Sequence, residues 1–240
     1  MRDDAPKAVT AISRTLQEQI ERGLLAGGSQ LPAERKLSEL FATTRVTLRE
    51  ALLQLESEGL VYREERRGWF VSPPRLAYNL MQRSHFHAMV SAQGRVPTTE
   101  VISARLQPAT AAVCERLQLP ALSSVIQICR GRRIDGRLVL YVEHYLNPQY
   151  FPQILRFDLT QSITELYARH YDLHYGRVRF EIVPTALPIE AAATLKVSTG
   201  SPGLRIVRVN YDQHDRLIDC DLEYWRHDAI HVGVDVGTRV

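Results

Sequence analysis

Pro73-Pro74 divides this chain. Two consecutive prolines remove two backbone donors and fix φ, so neither a helix nor a strand ladder runs through them. Ser72-Pro73-Pro74 therefore reads as a short stiff linker, and the sequence follows different periodicities on its two sides. On the N-terminal side Val9, Ile12, Leu16, Ile20 and Leu24 recur at helical spacing, with Gly27-Gly28 as the expected stop. Leu31-Pro32-Ala33-Glu34 opens a second helix, with proline near the first helical position and an acid in the first turn; Leu37, Leu40 and Phe41 form its apolar face. Thr44 is a good N-cap for a third helix that buries Leu48, Ala51, Leu52 and Leu55 and ends at Gly59. Leu60-Val61-Tyr62 and Trp69-Phe70-Val71 then read as two short strands around a charged loop.

The C-terminal side mixes strands and helices. A helix is expected over about 80–92, closed by Gly94, then a strand at 99–106 and a helix at 109–118 closed by Pro120. Strands at 124–133 and 137–146 flank Asp135-Gly136, a strong hairpin signal. A helix at 161–170, a strand at 177–186 and a short helix at 189–196 follow, then a hairpin of 204–212 and 216–225 around His214-Asp215. The two hairpins fall in register: Arg133-Ile134-Asp135-Gly136-Arg137-Leu138 against Asp212-Gln213-His214-Asp215-Arg216-Leu217, and Tyr145 against Tyr224. Each unit is strand, short Ala-rich helix, long hairpin, which points to one antiparallel sheet with internal pseudo-symmetry and a cleft where the halves meet. The expected class is α+β, with domains over 1–72 and 78–240 joined by a linker at 73–77. A chain of 240 residues is comfortable for two cores.

Composition excludes several classes and leaves the rest open. No apolar run approaches the roughly 20 residues a membrane span needs. Met1-Arg2-Asp3-Asp4 is followed by no apolar h-region, so no secretory signal and no membrane partner are expected. Cys114, Cys129 and Cys220 are an odd number in no metal-ligand spacing, which fits reduced thiols in the cytoplasm. Net charge is only +3, so bulk charge does not identify a nucleic-acid binder. Of 30 basic residues only Lys7, Lys36 and Lys196 are lysines. A GC-rich genome explains that bias as readily as function does, so the positions of the arginines carry more information than their number.

Two short helices, a tight turn and a charged hairpin make a winged helix-turn-helix, whose second helix enters the major groove by its N-terminal end. Here that end is Thr44-Arg45-Val46-Thr47-Leu48-Arg49, with Arg45 and Arg49 four apart. Thr44 and Thr47 add hydroxyls for phosphate or base edges, and the helix N-terminus itself favours phosphate. The bland alternative is a solvated polar face on a small structural helix. At these residues the chain closely resembles the DNA-binding domain of the GntR family of bacterial regulators. Leu31-Pro32-Ala33-Glu34-Arg35-Lys36-Leu37, Thr44 to Leu52, Leu55 to Val61 and Arg67-Gly68-Trp69-Phe70-Val71 carry the likeness, over about 20–71. The resemblance implies that Arg35, Arg45, Thr47 and Arg49 touch double-stranded DNA and that Gly68 is the wing glycine. Ala33 stands where Ser is usual, Arg66 where the wing tip has Gly, and Trp69 where Thr is frequent. Arg66 could enter a narrow minor groove, which attracts Arg.

Strand-rich sequence from 98 to 230 excludes the all-helical effector domains of that family. Arg130-Gly131-Arg132-Arg133-Ile134-Asp135-Gly136, Glu143-His144-Tyr145-Leu146 and Glu223-Tyr224-Trp225-Arg226-His227-Asp228 resemble the HutC subgroup. Its effector domain, called UTRA, is similar to the chorismate lyase fold. The resemblance implies a ligand pocket at the Pro97-Thr98-Thr99 loop, Arg130, Arg132, Glu143, Ser162, Thr164 and Tyr224, with Thr164 where Tyr is common. Strand alternation independently puts Arg130 and Arg132 on one face, where two guanidiniums need an anion or acidic partners. Salt bridges to neighbouring strands would serve equally. The expected effector is a small anionic metabolite, with a phosphonate favoured over sugar phosphates and carboxylates because the chain resembles regulators of phosphonate use. Glu143 would receive an amine at its other end.

Other classes fit less well. No nucleophile elbow, phosphate-binding glycine loop or paired metal motif is present, so an enzyme is not expected. His85, His87, His227 and His231 lack an adjacent acid or cysteine cluster, so no metal or cofactor is expected. A winged helix that binds only protein is opposed by the charged recognition segment. A homodimer on an inverted repeat is expected, because one winged helix covers too few base pairs for specificity in a genome.

Overall fold

A computed structural model describes residues 5–64, 66–82 and 85–234. The chain divides into two compact units: one runs to Arg75 and takes in His227–Ile230, and the other begins at Leu76.

The first unit holds α1 (Ala5–Glu21), α2 (Glu34–Leu40), α3 (Arg45–Ser57), β1 (Val61–Glu64) and β2 (Gly68–Val71). α1 ends earlier than its apolar spacing implies. Gly23 takes the left-handed conformation (φ +72°) that closes a helix, and Leu24 beyond it is exposed. Ala33 gives α2 no side-chain cap. Thr44 caps α3 as expected, accepting from Thr47 N at 3.2 Å. Leu48, Ala51, Leu52 and Leu55 turn inward onto Ile12, Leu16, Leu37, Val61 and Val71. Each of the three leucines is fully buried, a contribution of roughly 1.5–3 kcal/mol apiece. β1 and β2 pair antiparallel, Val61 opposite Val71 and Glu64 opposite Gly68, to make the wing.

In the second unit, β4 (Pro97–Pro108), β5 (Ser124–Ile134), β6 (Arg137–Leu146), β7 (Tyr175–Ala186), β8 (Pro202–Asp212) and β9 (Leu217–Arg226) form one sheet. β3 (Leu76–Asn79) and β10 (Ile230–Gly233) pair separately. The main sheet has the order β4-β5-β6-β9-β8-β7, and every neighbour is antiparallel. The internal repeat is visible in that order. β4, α5 (Ala111–Leu117), β5 and β6 make one half; β7, α7 (Ile189–Leu195), β8 and β9 make the other. They meet at β6 and β9, with Tyr141 opposite Tyr224. Asp135 (φ +51°) and Gly136 (φ +81°) supply the left-handed pair that a tight hairpin needs.

The helix expected over 80–92 is shorter. α4 spans Phe86–Ser91. Asn79 Oδ1 accepts from Met81 N and holds a turn there, and His85 Nδ1 caps α4 by accepting from Ala88 N. β3, β10 and a 3-10 turn at Ile154–Arg156 had no distinct sequence signal.

The two faces of the main sheet differ in kind. α5 and α7 cover one face, packing on Val125, Cys129, Tyr141, Tyr145, Val207, Val209 and Cys220. On the other face α6 (Ile163–Tyr171) covers an apolar end at Ile126, Ile128 and Leu146. Next to that apolar end, the same face turns polar.

Candidate functional site

The N-terminal end of α3 is a polar surface on an apolar base. Thr44, Arg45, Val46 and Arg49 are exposed and Thr47 is half-buried, while Leu48 behind them has no exposure. Arg49 Nε donates to Glu34 Oε2 at 2.8 Å, and Trp69 Nε1 donates to Glu34 Oε1 at 3.1 Å. Burial opposes the Glu34 charge, yet these two bonds hold its carboxyl below the usual range. One carboxylate thus ties the recognition helix to the wing strand. Trp69, unusual for the resemblance, serves as its second anchor. Arg35 pairs with Glu39 at 2.7 Å on an exposed face of α2. Arg66 is exposed at the wing tip with φ +62°, a backbone that favours glycine, so the glycine usual there has a conformational reason. Gly68 follows at φ +96°. Glu34 and Trp69 were the residues sequence reasoning missed, because only the fold brings them to Arg49.

The polar part of the second unit's sheet forms a cleft of about 450 Å³, including the volume open to solvent. β5 supplies Arg130 and Arg132, β6 His144, β8 Arg208 and β9 Asp221 and Glu223, under Ser162 and Thr164 of α6 and His87 of α4. Thr99 also lines it and hydrogen-bonds His87 at 3.0 Å.

Arg130 is almost fully engaged. Nε and Nη2 lie 3.1 and 2.8 Å from His144 Nε2, and Nη1 donates to Leu159 O and Gln161 O at 3.2 and 2.9 Å. A guanidinium only donates, so His144 accepts at Nε2 and carries its proton on Nδ1, 2.5 Å from Asp221 Oδ1. Burial first, and the neighbouring Arg130 charge, push the imidazole down to about 4, so it is neutral. Arg130 thereby fixes the loop ahead of α6, where Ser162 caps the helix by accepting from Glu165 N.

Arg132 is different. Its guanidinium lies 4.7 Å from the Phe86 ring centroid, and its Nε is buried without a hydrogen bond among the described residues. Arg208 Nε is likewise buried and unbonded, and its Nη1 reaches Glu223 only at 3.4 Å. Burial lowers the Arg132 pKa. Burial also raises Glu223, whose Oε2 accepts from Trp225 Nε1 at 2.8 Å.

Three of the expected pocket residues lie elsewhere. Glu143 sits on the α5/α7 face, accepting from Tyr141 OH at 3.1 Å and Tyr145 OH at 2.7 Å. Tyr224 packs against Tyr141 on that same face, with ring centroids 6.2 Å apart. Thr98 is exposed opposite Arg133, one position out of phase with Thr99. Strand alternation decides all three. The same alternation puts Asp219, Asp221 and Glu223 together on the cleft face, with Cys220 and Leu222 behind. That period-two run of acids was the available signal for the carboxylates, and it went unread.

A winged helix with a basic reading end, joined in one chain to a sheet domain with a charged cleft, defines a DNA-binding transcription regulator that responds to a small molecule. The gntR family of bacterial regulatory proteins matches residues 8–71 and the UTRA domain matches residues 92–231, and the chain belongs to that family's UTRA-bearing branch. It is 29% identical over 224 residues to the HTH-type transcriptional regulator YihL of Escherichia coli, covering 92% of this chain and 94% of the relative. It is 28% identical over 217 residues to the transcriptional repressor NagR of Bacillus subtilis, covering 90% and 89%. The crystal structure of PhnF from Mycobacterium smegmatis superposes with a TM-score of 0.66 over 95% of this chain and all of that one, at 24% identity. Among the described residues no helix is long and apolar enough to cross a membrane, and no group of side chains could hold a metal ion.

Proposed function

We propose that the effector of this regulator is a small anion seated in the cleft against Arg132 and the N-terminal turn of α6. The observation that carries this is the pair of buried Nε donors of Arg132 and Arg208, both at the cleft and both without a partner. A buried donor left unbonded costs about 1–3 kcal/mol, so an oxyanion that enters the cleft and draws these side chains toward it gains from satisfying them. Ser162, Thr164 and Thr99 add hydroxyls, and the first turn of α6 adds free backbone N–H groups. A tetrahedral phosphate or phosphonate can accept from a guanidinium and several hydroxyls together. Asp221 and Glu223 take the part expected of Glu143 and receive an amine or hydroxyls at the other end. An aminoalkylphosphonate meets both ends; an amino-sugar phosphate is the second reading, favoured by the number of acceptors at the acidic end.

In this reading the protein works in the cytoplasm as a homodimer on an inverted-repeat operator. Residues 1–72 read DNA through Arg35, Thr44, Arg45, Thr47, Arg49, Arg66 and Gly68; a linker at 73–77, whose last two residues begin β3, joins them to residues 78–240, which sense the effector and dimerise. The test is thermal melting with a panel of phosphonates and sugar phosphates, on wild type and Arg132→Ala. Selective stabilisation of wild type supports the site. No response to any anion, or an equal response in the variant, rejects it.

A further inference from the structure

Asp221 lines the cleft, and behind it stand Asp219 and Asn210, which the ligand reading leaves unused. Asp219 and Asp221 are 0% and 3% exposed. Both accept from one amide: Asn210 Nδ2 lies 2.5 Å from Asp219 Oδ1 and 3.2 Å from Asp221 Oδ2. Two carboxylates sharing a buried donor do not both ionise readily; one of them keeps a proton. Their other partners decide which. Asp221 meets the His144 Nδ1–H, with the Arg132 and Arg208 charges close by. Among the described residues Asp219 meets neutral donors: Asn210, the Tyr175 hydroxyl at 2.9 Å and the Tyr167 hydroxyl. Asn210 Oδ1 is buried nearby with no hydrogen bond among the described residues. Buried polar atoms are rarely left so. Burial, and then the Asp221 charge, push Asp219 up to about 7.

We propose that Asp219 holds a proton in the effector-receptive protein, and that anion capture in the cleft is linked to uptake of that proton. This rests on the anion-binding reading of the cleft. The charged groups facing the pair are Arg130 and Arg132 from β5, Arg208 from β8 and Glu223 from β9; His144, Tyr167 and Tyr175 are neutral. With Asp219 protonated, three cations stand against the Asp221 and Glu223 carboxylates, and the cleft has a positive surplus. Ionising Asp219 cancels it. Affinity for an anion therefore falls as pH rises through neutrality, by at most tenfold per pH unit, the limit for one proton.

The probe is inorganic sulfate, which stays doubly charged throughout and so contributes no titration of its own. Binding to the full-length protein is measured at fixed ionic strength from about pH 6 to about pH 8, with calorimetry in two buffers of different ionisation heat to count protons. Wild type is expected to bind several-fold more weakly at the upper pH and to take up between zero and one proton per sulfate, most near neutrality. Asp219→Asn, which imitates the protonated acid, is expected to bind with no pH dependence. If the variant fails to fold, the wild-type proton count alone decides. Sulfate binding with no proton uptake overturns the proposal and leaves the anion cleft standing. No sulfate binding at any pH overturns the anion cleft, and the proposal with it.

Discussion

Replacing Arg45 by alanine separates DNA reading from folding. Arg45 is the first residue of α3, exposed, with no hydrogen bond or ion pair among the described residues. Removing it leaves no buried partner stranded, so stability should stay within about 0.5 kcal/mol of wild type. A bidentate arginine on a guanine edge is worth about 1–3 kcal/mol, so operator affinity should fall about tenfold or more. Arg49 differs because Glu34 already holds its Nε at 2.8 Å. Its side chain is 58% exposed, so that pair adds well under about 1 kcal/mol to stability, but it aims the two terminal nitrogens. Fluorescence anisotropy with labelled operator, repeated over a range of salt, sorts the roles. Loss of a phosphate contact flattens the log–log salt slope by about 0.9. Loss of a base contact leaves the slope and narrows the gap between operator and random DNA. If Arg45→Ala and Arg49→Ala both bind operator as wild type does, α3 is not the reading helix.

Thr44→Ala removes the α3 cap and should cost about 1 kcal/mol in urea unfolding, with weaker operator binding as the helix start frays. Asp219→Asn should change how stability depends on pH. Burial and the Asp221 charge push the folded acid up to about 7 from an ordinary value of 3.8, so wild type is progressively penalised as pH rises from about 4 to about 7. The variant has no such loss, and the stability difference should grow over that window and then level off. Unchanged pH dependence would show that Asp219 is not a raised acid. Sedimentation should give a dimer at micromolar concentration; a monomer with and without DNA would remove the inverted-repeat reading.

Elements with a strong local signal were legible in the sequence. Asp135-Gly136 fixed one hairpin because only a left-handed pair closes that turn, and Thr44 with Leu48, Leu52 and Leu55 fixed α3. The start of α4 was not legible, because Asn79 and His85 divert the backbone through side-chain bonds that imitate neither a helix nor a loop pattern. At the cleft, Arg130, Arg132, Thr99, Ser162 and Thr164 were named from the sequence and stand together. Glu143, Tyr224 and Thr98 were implied by the family resemblance, but a strand assigns faces by parity. One residue of offset moves a side chain through the sheet. Arg208, His144 and Asp221 come from three different strands, and only the strand order β5-β6-β9-β8 makes them neighbours.

The same strands carry an apolar solution on one face and a charged one on the other. On the α5/α7 face, Val125 and Cys129 of β5, Val207 and Val209 of β8 and Cys220 of β9 pack as ordinary apolar core. On the opposite face these strands carry Arg130, Arg132, Arg208, Asn210, Asp219, Asp221 and Glu223. Replacing a buried ionic set by well-packed apolar side chains is often neutral or stabilising. A sheet built only to be stable would therefore use the first solution on both faces. The layer is also incompletely satisfied: among the described residues Arg132 Nε, Arg208 Nε and Asn210 Oδ1 lack partners, and a half-satisfied network is worse than an apolar core. On the reading proposed above, the missing partners arrive from outside: an anion for the arginines and a proton for the aspartate pair. Binding then adds hydrogen bonds to a low-dielectric network already in place. An effector worth about 1–3 kcal/mol of coupling to operator affinity needs only a fraction of what those unmade bonds would supply.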